Sequence, residues 1–365
     1  MQLLAAIRRM PLLWLLVFVP VVLVAERVRP EAHTALFLLS ILAIVPLAAL
    51  LSMATESVAA KTGDTIGGLL NATLGNLTEL VIALAALGAG EYTLVKASIA
   101  GAIVTNSLFM LGGSFLLGGL KHHVQEFNRS TARLQAGLLF LATVALLIPS
   151  AISRADATPE AEFTEKLSIG MSILLMVTYA LGLVFTLKTH RDFFGSASHG
   201  HTEDEEEPWP IGVALVTLVV VTVLVALVSE VFVASVQDAA LALGISQAFV
   251  GFIVVALVGA AAEMAAAFSG ARKNRLDLSV GIALGSAAQI ALFVAPVLVL
   301  LSYVIGPMPM SLQLWPGAVT MIVIATLTAA LVTTSGRSAW FIGVLVLVVY
   351  ATLALTLYLL PPPTG

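Results

Sequence analysis

Residues 67–79 read Gly67-Gly-Leu-Leu-Asn-Ala-Thr-Leu-Gly75-Asn-Leu-Thr-Glu79, and residues 251–263 read Gly251-Phe-Ile-Val-Val-Ala-Leu-Val-Gly259-Ala-Ala-Ala-Glu263. In each stretch two glycines eight residues apart are followed, four residues later, by a glutamate. The segments before them end alike, with Glu56 in Thr-Glu-Ser and Glu230 in Ser-Glu-Val. The segments after them set Gly101 and Asn106 against Gly281 and Ser286. Glycines alone recur in any closely packed apolar helix. An acidic residue at the same offset in both stretches makes the match an internal repeat.

The composition around the repeat is that of a membrane protein. Of the 365 residues, 59% are hydrophobic and only 10% charged, too few to solvate a soluble domain of this length. The apolar residues also fall in long unbroken runs, and a run of ~20 residues crosses the hydrocarbon layer as a helix. Eleven spans are expected, near 10–26, 33–57, 65–90, 93–119, 133–152, 165–188, 211–236, 244–271, 276–306, 314–336 and 339–360. The fold class expected is thus an all-α integral membrane protein. It divides into a first transmembrane helix (1–32), a five-helix repeat (33–188), an acidic linker (189–210) and a second five-helix repeat (211–365). Because five is odd, the second repeat enters the membrane from the opposite side, a plan that puts binding sites near the midplane where the halves meet.

Residues 1–25 could be read as a signal peptide, but no small-x-small cleavage site precedes Glu26, so a transmembrane helix fits better. Lys and Arg set the orientation. With the N-terminus cytoplasmic, twelve of the seventeen fall on the cytoplasmic side and five (Arg27, Arg29, Lys96, Arg154, Lys166) on the other. An N-in, C-out topology is therefore expected, in a prokaryotic plasma membrane since no targeting extension is evident.

A carboxylate in a membrane helix costs several kcal/mol, so it usually serves a purpose. Glu79 and Glu263 sit well inside apolar stretches; Glu56 and Glu230 lie nearer the expected helix ends, where a structural role or a place on a proton path are both open. Thr73 and Asn76 share a helical face with Glu79, Asn106 and Ser107 stand in the next span, and Ser286 and Gln289 stand one turn apart in the second repeat. Two carboxylates among amide and hydroxyl oxygens suit a hard cation such as Ca²⁺, which takes six to eight oxygen ligands. Without the cation the paired charges repel, and protons relieve that repulsion. The pair can hold a cation or protons but not both comfortably, which is the physical core of an antiporter. All six histidines lie outside or at the ends of the spans, so proton traffic falls to the carboxylates Glu79, Glu263, Glu56 and Glu230.

At this point the residues resemble a known family. The stretch from Glu56 to Leu80 is similar to the first signature of the calcium/proton exchanger (CAX) family, within the cation/calcium exchanger superfamily, and Lys96 to Gly119 continues the match. Gly251–Glu263 and Asp277–Val294 resemble the second signature. Carried over by position, the family's cation-binding glutamates fall on Glu79 and Glu263, and its supporting ligands on Asn76, Asn106, Ser286 and Gln289. The resemblance implies secondary active export of cytosolic Ca²⁺ driven by inward-moving protons. One departure stands out: the family's Gly-Asn-Ala-Ala-Glu-His is here Gly259-Ala-Ala-Ala-Glu263-Met264. One amide ligand is lost, which keeps open an exchanger of the same fold for Na⁺ or K⁺ against protons, one driven by Na⁺, or use of Mn²⁺.

The acidic run Glu203-Asp204-Glu205-Glu206-Glu207 is either a solvated linker or a cation collector near the entrance. An enzyme is not expected: there is no His-Glu-x-x-His motif, no Gly-x-Ser-x-Gly elbow and no cysteine. No cofactor and no nucleic acid are expected either. The partners are the transported cation, protons and lipid, and since both halves lie on one chain an oligomer is not required.

Overall fold

Apolar runs surrounded by lipid fold as helices because only a helix satisfies every backbone N–H and C=O within its own segment. The structure, a computed structural model, describes residues 10–152, 161–190 and 208–359. The first half comprises α1 (Pro11–Val28), α2 (His33–Thr62), α3 (Asp64–Leu74), α4 (Leu77–Gly88), α5 (Tyr92–His122), α6 (Arg129–Ile152) and α7 (Glu162–Thr189). The second comprises α8 (Ile211–Leu243), α9 (Gln247–Gly259), α10 (Ala261–Arg272), α11 (Leu276–Leu301), α12 (Pro316–Thr333) and α13 (Trp340–Leu359). Among the described residues nine helices are long and apolar enough to cross a membrane alone, and two bent pairs bring the number to eleven. The eleven-span membrane class expected from the sequence is present.

Four details differ from expectation. The span expected over 65–90 is broken into α3 and α4, bent by 41°, and the one over 244–271 into α9 and α10, bent by 59°. The breaks fall at Asn76 (φ −101°, ψ 32°) and Ala260 (φ −79°, ψ 7°), equivalent positions of the repeat. The span expected over 276–306 ends at Leu301, because the chain turns at Gly306 (φ +102°), where a Cβ would sit 2.8 Å from the Leu87 carbonyl oxygen. The span expected to end at 236 instead runs on to Leu243, which leaves Glu230 well inside a helix rather than near its end. Finally, the fold is not purely helical. Strands β1 (Val124–Glu126) and β2 (Arg337–Ala339) pair antiparallel, with Gln125 opposite Ser338.

Burial sorts the helices. The most apolar 18-residue windows of α5 and α11 are 83% and 72% buried, against 17% for α1 and α7, so the helices that follow the broken ones form the centre. Val216, Val219, Val220 and Val223 on α8 are exposed, as expected of a face turned to lipid. The long helices α2 and α8 pack together, with Phe37 and Phe232 stacked at 5.2 Å.

Small residues decide which central pair touches. A Cβ at Gly101 of α5 would lie 2.1 Å from the Phe252 carbonyl oxygen of α9, and one at Gly251 would lie 2.6 Å from the Ala97 Cβ. Only glycine lets these two backbones come so close. The equivalent pair in the other half is α3 and α11, with Gly67 and Gly281. There the contact is absent: a Cβ at Gly281 would have nothing within 4 Å, while Gly67 presses on the Ala59 carbonyl of α2. The repeat is alike in sequence but not in packing.

Candidate cation site

The two breaks put both glutamates in the first turn of a half-helix, Glu79 in α4 and Glu263 in α10. The free backbone N–H groups and positive dipole end of such a turn favour negative charge in the middle of a bundle where water cannot. Neither Asn76 nor Ala260, the residues preceding those turns, caps its helix with a side chain. The amide of Asn76 is therefore left for other contacts.

Those contacts cross between the halves. The Ser286 hydroxyl on α11 stands 3.1 Å from Asn76 Oδ1 and 2.5 Å from Glu263 Oε2. A single hydroxyl proton serves only one acceptor at a time, so Ser286 donates to Glu263 or to Asn76 in turn. Glu79 lies against Gly259, where a Cβ would meet its Cγ at 2.9 Å. Gln289 reaches Gly75, whose Cβ would sit 3.5 Å from Gln289 Oε1. Five of the six candidate ligands named from the sequence thus gather at the crossing of the two broken helices.

The sixth, Asn106, lies in a π-helical turn (Thr105–Met110) of α5 that packs against α11. It is fully buried, and neither its amide nitrogen nor its oxygen has a hydrogen-bond partner among the described residues. The repeat gives the reason. Asn106 is the counterpart of Ser286, which pairs with Asn76; the counterpart of Asn76 is Ala260, which has no polar atom to offer. Asn76 Nδ2, Glu79 Oε1 and Gln289 Nε2 are likewise buried without a partner among the described residues. So many unpaired polar atoms in one place are unusual for a packed interior, and are expected where a polar ligand completes the bonding.

A cavity reaches the site from one end of the bundle. It has a volume of about 610 Å³, lies between α3 and α11, with walls from α2, α6 and α7, and reaches Gly75, Glu263, Ser286 and Gln289. Its mouth carries Glu56, to which the Ser52 hydroxyl donates at 3.1 Å, and Asp277, which accepts from the Asn128 backbone N–H. At the other end of the bundle a separate cavity of about 730 Å³ is lined by Glu230, Glu91 and Asp238, and touches none of the six candidates. Glu56 and Glu230, equivalent in sequence, thus line cavities at opposite ends.

Two expectations are not met. Thr73 stands on α3, before the break, so it does not share a face with Glu79; its hydroxyl donates to the Leu69 carbonyl at 2.9 Å. The Ser107 hydroxyl is spent on the Ile103 carbonyl at 2.6 Å. The acidic run Glu203, Asp204, Glu205, Glu206 and Glu207 lies outside the described residues. One contributor went unnoticed in the sequence: Tyr179 of α7 donates to the Ala72 carbonyl at 2.5 Å, satisfying an oxygen that the break at Asn76 leaves without its helical N–H. A lone tyrosine in an apolar span was its only signal. Among the described residues no group of three or more Asp, Glu, His or Cys is placed to hold a metal ion.

The sodium/calcium exchanger protein family matches residues 32–188 and 213–359. The chain belongs to this family. Within it, the chain is 37% identical over 359 residues to the Ca²⁺/H⁺ antiporter of Aphanothece halophytica, covering 95% of this chain and 96% of that protein. It is 41% identical over 327 residues to the Ca²⁺/H⁺ antiporter ChaA of Bacillus subtilis, covering 89% and 92%. The solved structure of native YfkE superposes with a TM-score of 0.80 at 36% identity, covering 94% of this chain and 97% of that one. The H⁺/Ca²⁺ exchanger CAX, at 16% identity and a TM-score of 0.67, shares the exchanger fold.

Proposed function

We propose that this exchanger carries Ca²⁺ out of the cytosol against protons by alternating access, with Glu79 and Glu263 as the shared carriers. The observation that carries the reading is the junction at Ser286, where a glutamate from one inverted half and an amide from the other meet beside a cavity. Its full-length relatives named as Ca²⁺/H⁺ antiporters support the cation, and transport rather than catalysis.

The two carboxylates balance the charge of one divalent ion; Asn76, Ser286, Gln289 and Asn106 add neutral oxygens. With protons bound instead, the site is neutral. The cavity beside α11 opens at the end holding the α5–α6 and α10–α11 loops, where Lys121, Arg129, Arg272, Lys273 and Arg275 gather. Basic residues favour the cytoplasmic side, so this is the cytosol-facing state, with the N-terminus on the same side, in a prokaryotic plasma membrane. Residues 33–188 and 211–365 act as the two halves, and Glu56 guards the cytosolic approach and Glu230 the exit.

Ala260 favours a second reading, in which a site one amide short prefers Na⁺ or K⁺. Everted vesicles loaded with a pH-sensitive dye separate the two. The calcium reading expects proton movement on adding micromolar Ca²⁺ and none on adding Na⁺ or K⁺; the reverse pattern selects the monovalent exchanger.

A further inference from the structure

Gln135 stands on α6, outside the broken helices and their neighbours that supply the other candidate ligands. Its side chain crosses to α11, where Nε2 donates to the Gly281 carbonyl at 3.3 Å. That bond fixes which end of the amide is which, since turning it over would set two oxygens against each other. The outcome is an Oε1 that is buried and has no hydrogen-bond partner among the described residues. Gln135 lines the same cavity as Glu263, Ser286 and Gln289. The approach also depends on Gly285, the residue before Ser286: a Cβ there would come within 3.1 Å of Gln135 Nε2.

From this placement we infer that Gln135 Oε1 is an additional oxygen ligand of the transported divalent cation on its way into or out of the site. An amide oxygen suits this duty because it adds a ligand without adding charge, so that two carboxylates still balance two protons. Ca²⁺ seeks six to eight oxygens, and Ala260 leaves the second half without the amide that Asn76 gives the first. Gln135 supplies a replacement from a helix that the repeat does not pair with it. The inference rests on the reading of Glu79 and Glu263 as the cation site.

The test measures Ca²⁺ affinity of the purified full chain by titration calorimetry, and half-saturation of Ca²⁺ flux in proteoliposomes, for Gln135→Leu, Gln135→Glu and Glu263→Gln. Gln135→Leu keeps the volume and removes the oxygen; it is expected to weaken Ca²⁺ binding about tenfold, the effect of ~1.4 kcal/mol. Gln135→Glu removes the bond to Gly281 but adds a charged oxygen, and is expected to bind Ca²⁺ more tightly than wild type at alkaline pH. A packing role would weaken both variants alike. Unchanged affinity in Gln135→Leu, or equal or weaker binding in Gln135→Glu, overturns the inference. If Gln135→Leu does not fold, Gln135→Glu decides alone. Glu263→Gln separates the levels: if it binds Ca²⁺ as wild type does, the cation site itself is misplaced, whereas its loss with an unaffected Gln135→Leu removes Gln135 only.

Discussion

Glu79 lies against Gly259 across the crossing of the two broken helices, close enough that a Cβ at residue 259 would come within 2.9 Å of the glutamate's Cγ. The glycine belongs to one half and the carboxylate to the other, so the contact fixes where the two half-sites meet. Gly259→Ala should therefore push Glu79 aside while leaving the helices inserted. Ca²⁺-dependent proton flux should fall about tenfold or more, since small displacements of a reacting group are costly. Flux measured in proteoliposomes, with size-exclusion chromatography as the folding control, checks this. Wild-type flux would mean that Glu79 is not held by this contact.

Asn106 and Ala260 make the opposite case, a pair that the repeat calls for and the sequence lacks. Ala260→Asn should give Asn106 the partner that Asn76 has in Ser286, and return an oxygen to the site. The Ca²⁺ concentration for half-maximal transport should fall about tenfold, the worth of ~1.4 kcal/mol, and selectivity over Na⁺ and K⁺ should rise. An unchanged half-saturation would mean that the ligand is already supplied elsewhere, with Gln135 the first candidate.

Gly281 tests alternating access. The α5–α9 contact is closed over Gly101 and Gly251, while its equivalent between α3 and α11 is open and holds the cavity. In the other state of an inverted-repeat exchanger the two pairs trade roles. Gly281→Leu, with nothing now within 4 Å of its Cβ, should fold normally and bind Ca²⁺, yet slow turnover because α3 can no longer close on α11. Gly101→Ala should act differently, destabilising the present state by ~1–3 kcal/mol through a clash with the Phe252 carbonyl. Thermal unfolding and flux on the two variants distinguish these effects; equal turnover in Gly281→Leu and wild type would argue against closure at this pair.

Much of this was legible in the chain itself. Glu79 and Glu263 stand at equal offsets from equivalent glycines, which gives the repeat and the two central carboxylates, while the long apolar runs give the span count and, five being odd, the inversion. The helix breaks were not legible, because Gly259-Ala-Ala-Ala is a run any helix accepts and Gly75-Asn76 reads equally as packing. Glu230 reads as near a helix end in a span expected to stop at 236; the helix runs on to Leu243, alongside a cavity. Gln135 and Tyr179 gave no pattern to read, since each acts on a backbone carbonyl of another helix, 146 and 107 residues away.

Proton competition sets the pH dependence. Protonation neutralises the carboxylates that attract the cation, so apparent Ca²⁺ affinity should fall as pH falls. Ser286→Ala should alter that dependence, because it removes the hydroxyl that donates to the Glu263 carboxyl. Calorimetric titration with Ca²⁺ across a pH series reads the slope directly. A slope identical to wild type would separate Ser286 from the proton.

The shared site is tested most directly by counting protons released when Ca²⁺ is added to purified protein in weakly buffered detergent solution. Wild type should release protons as Ca²⁺ binds, while Glu79→Gln and Glu263→Gln, equally folded, should neither bind Ca²⁺ at micromolar concentration nor release protons. Ca²⁺ binding with wild-type proton release in either variant would contradict the account.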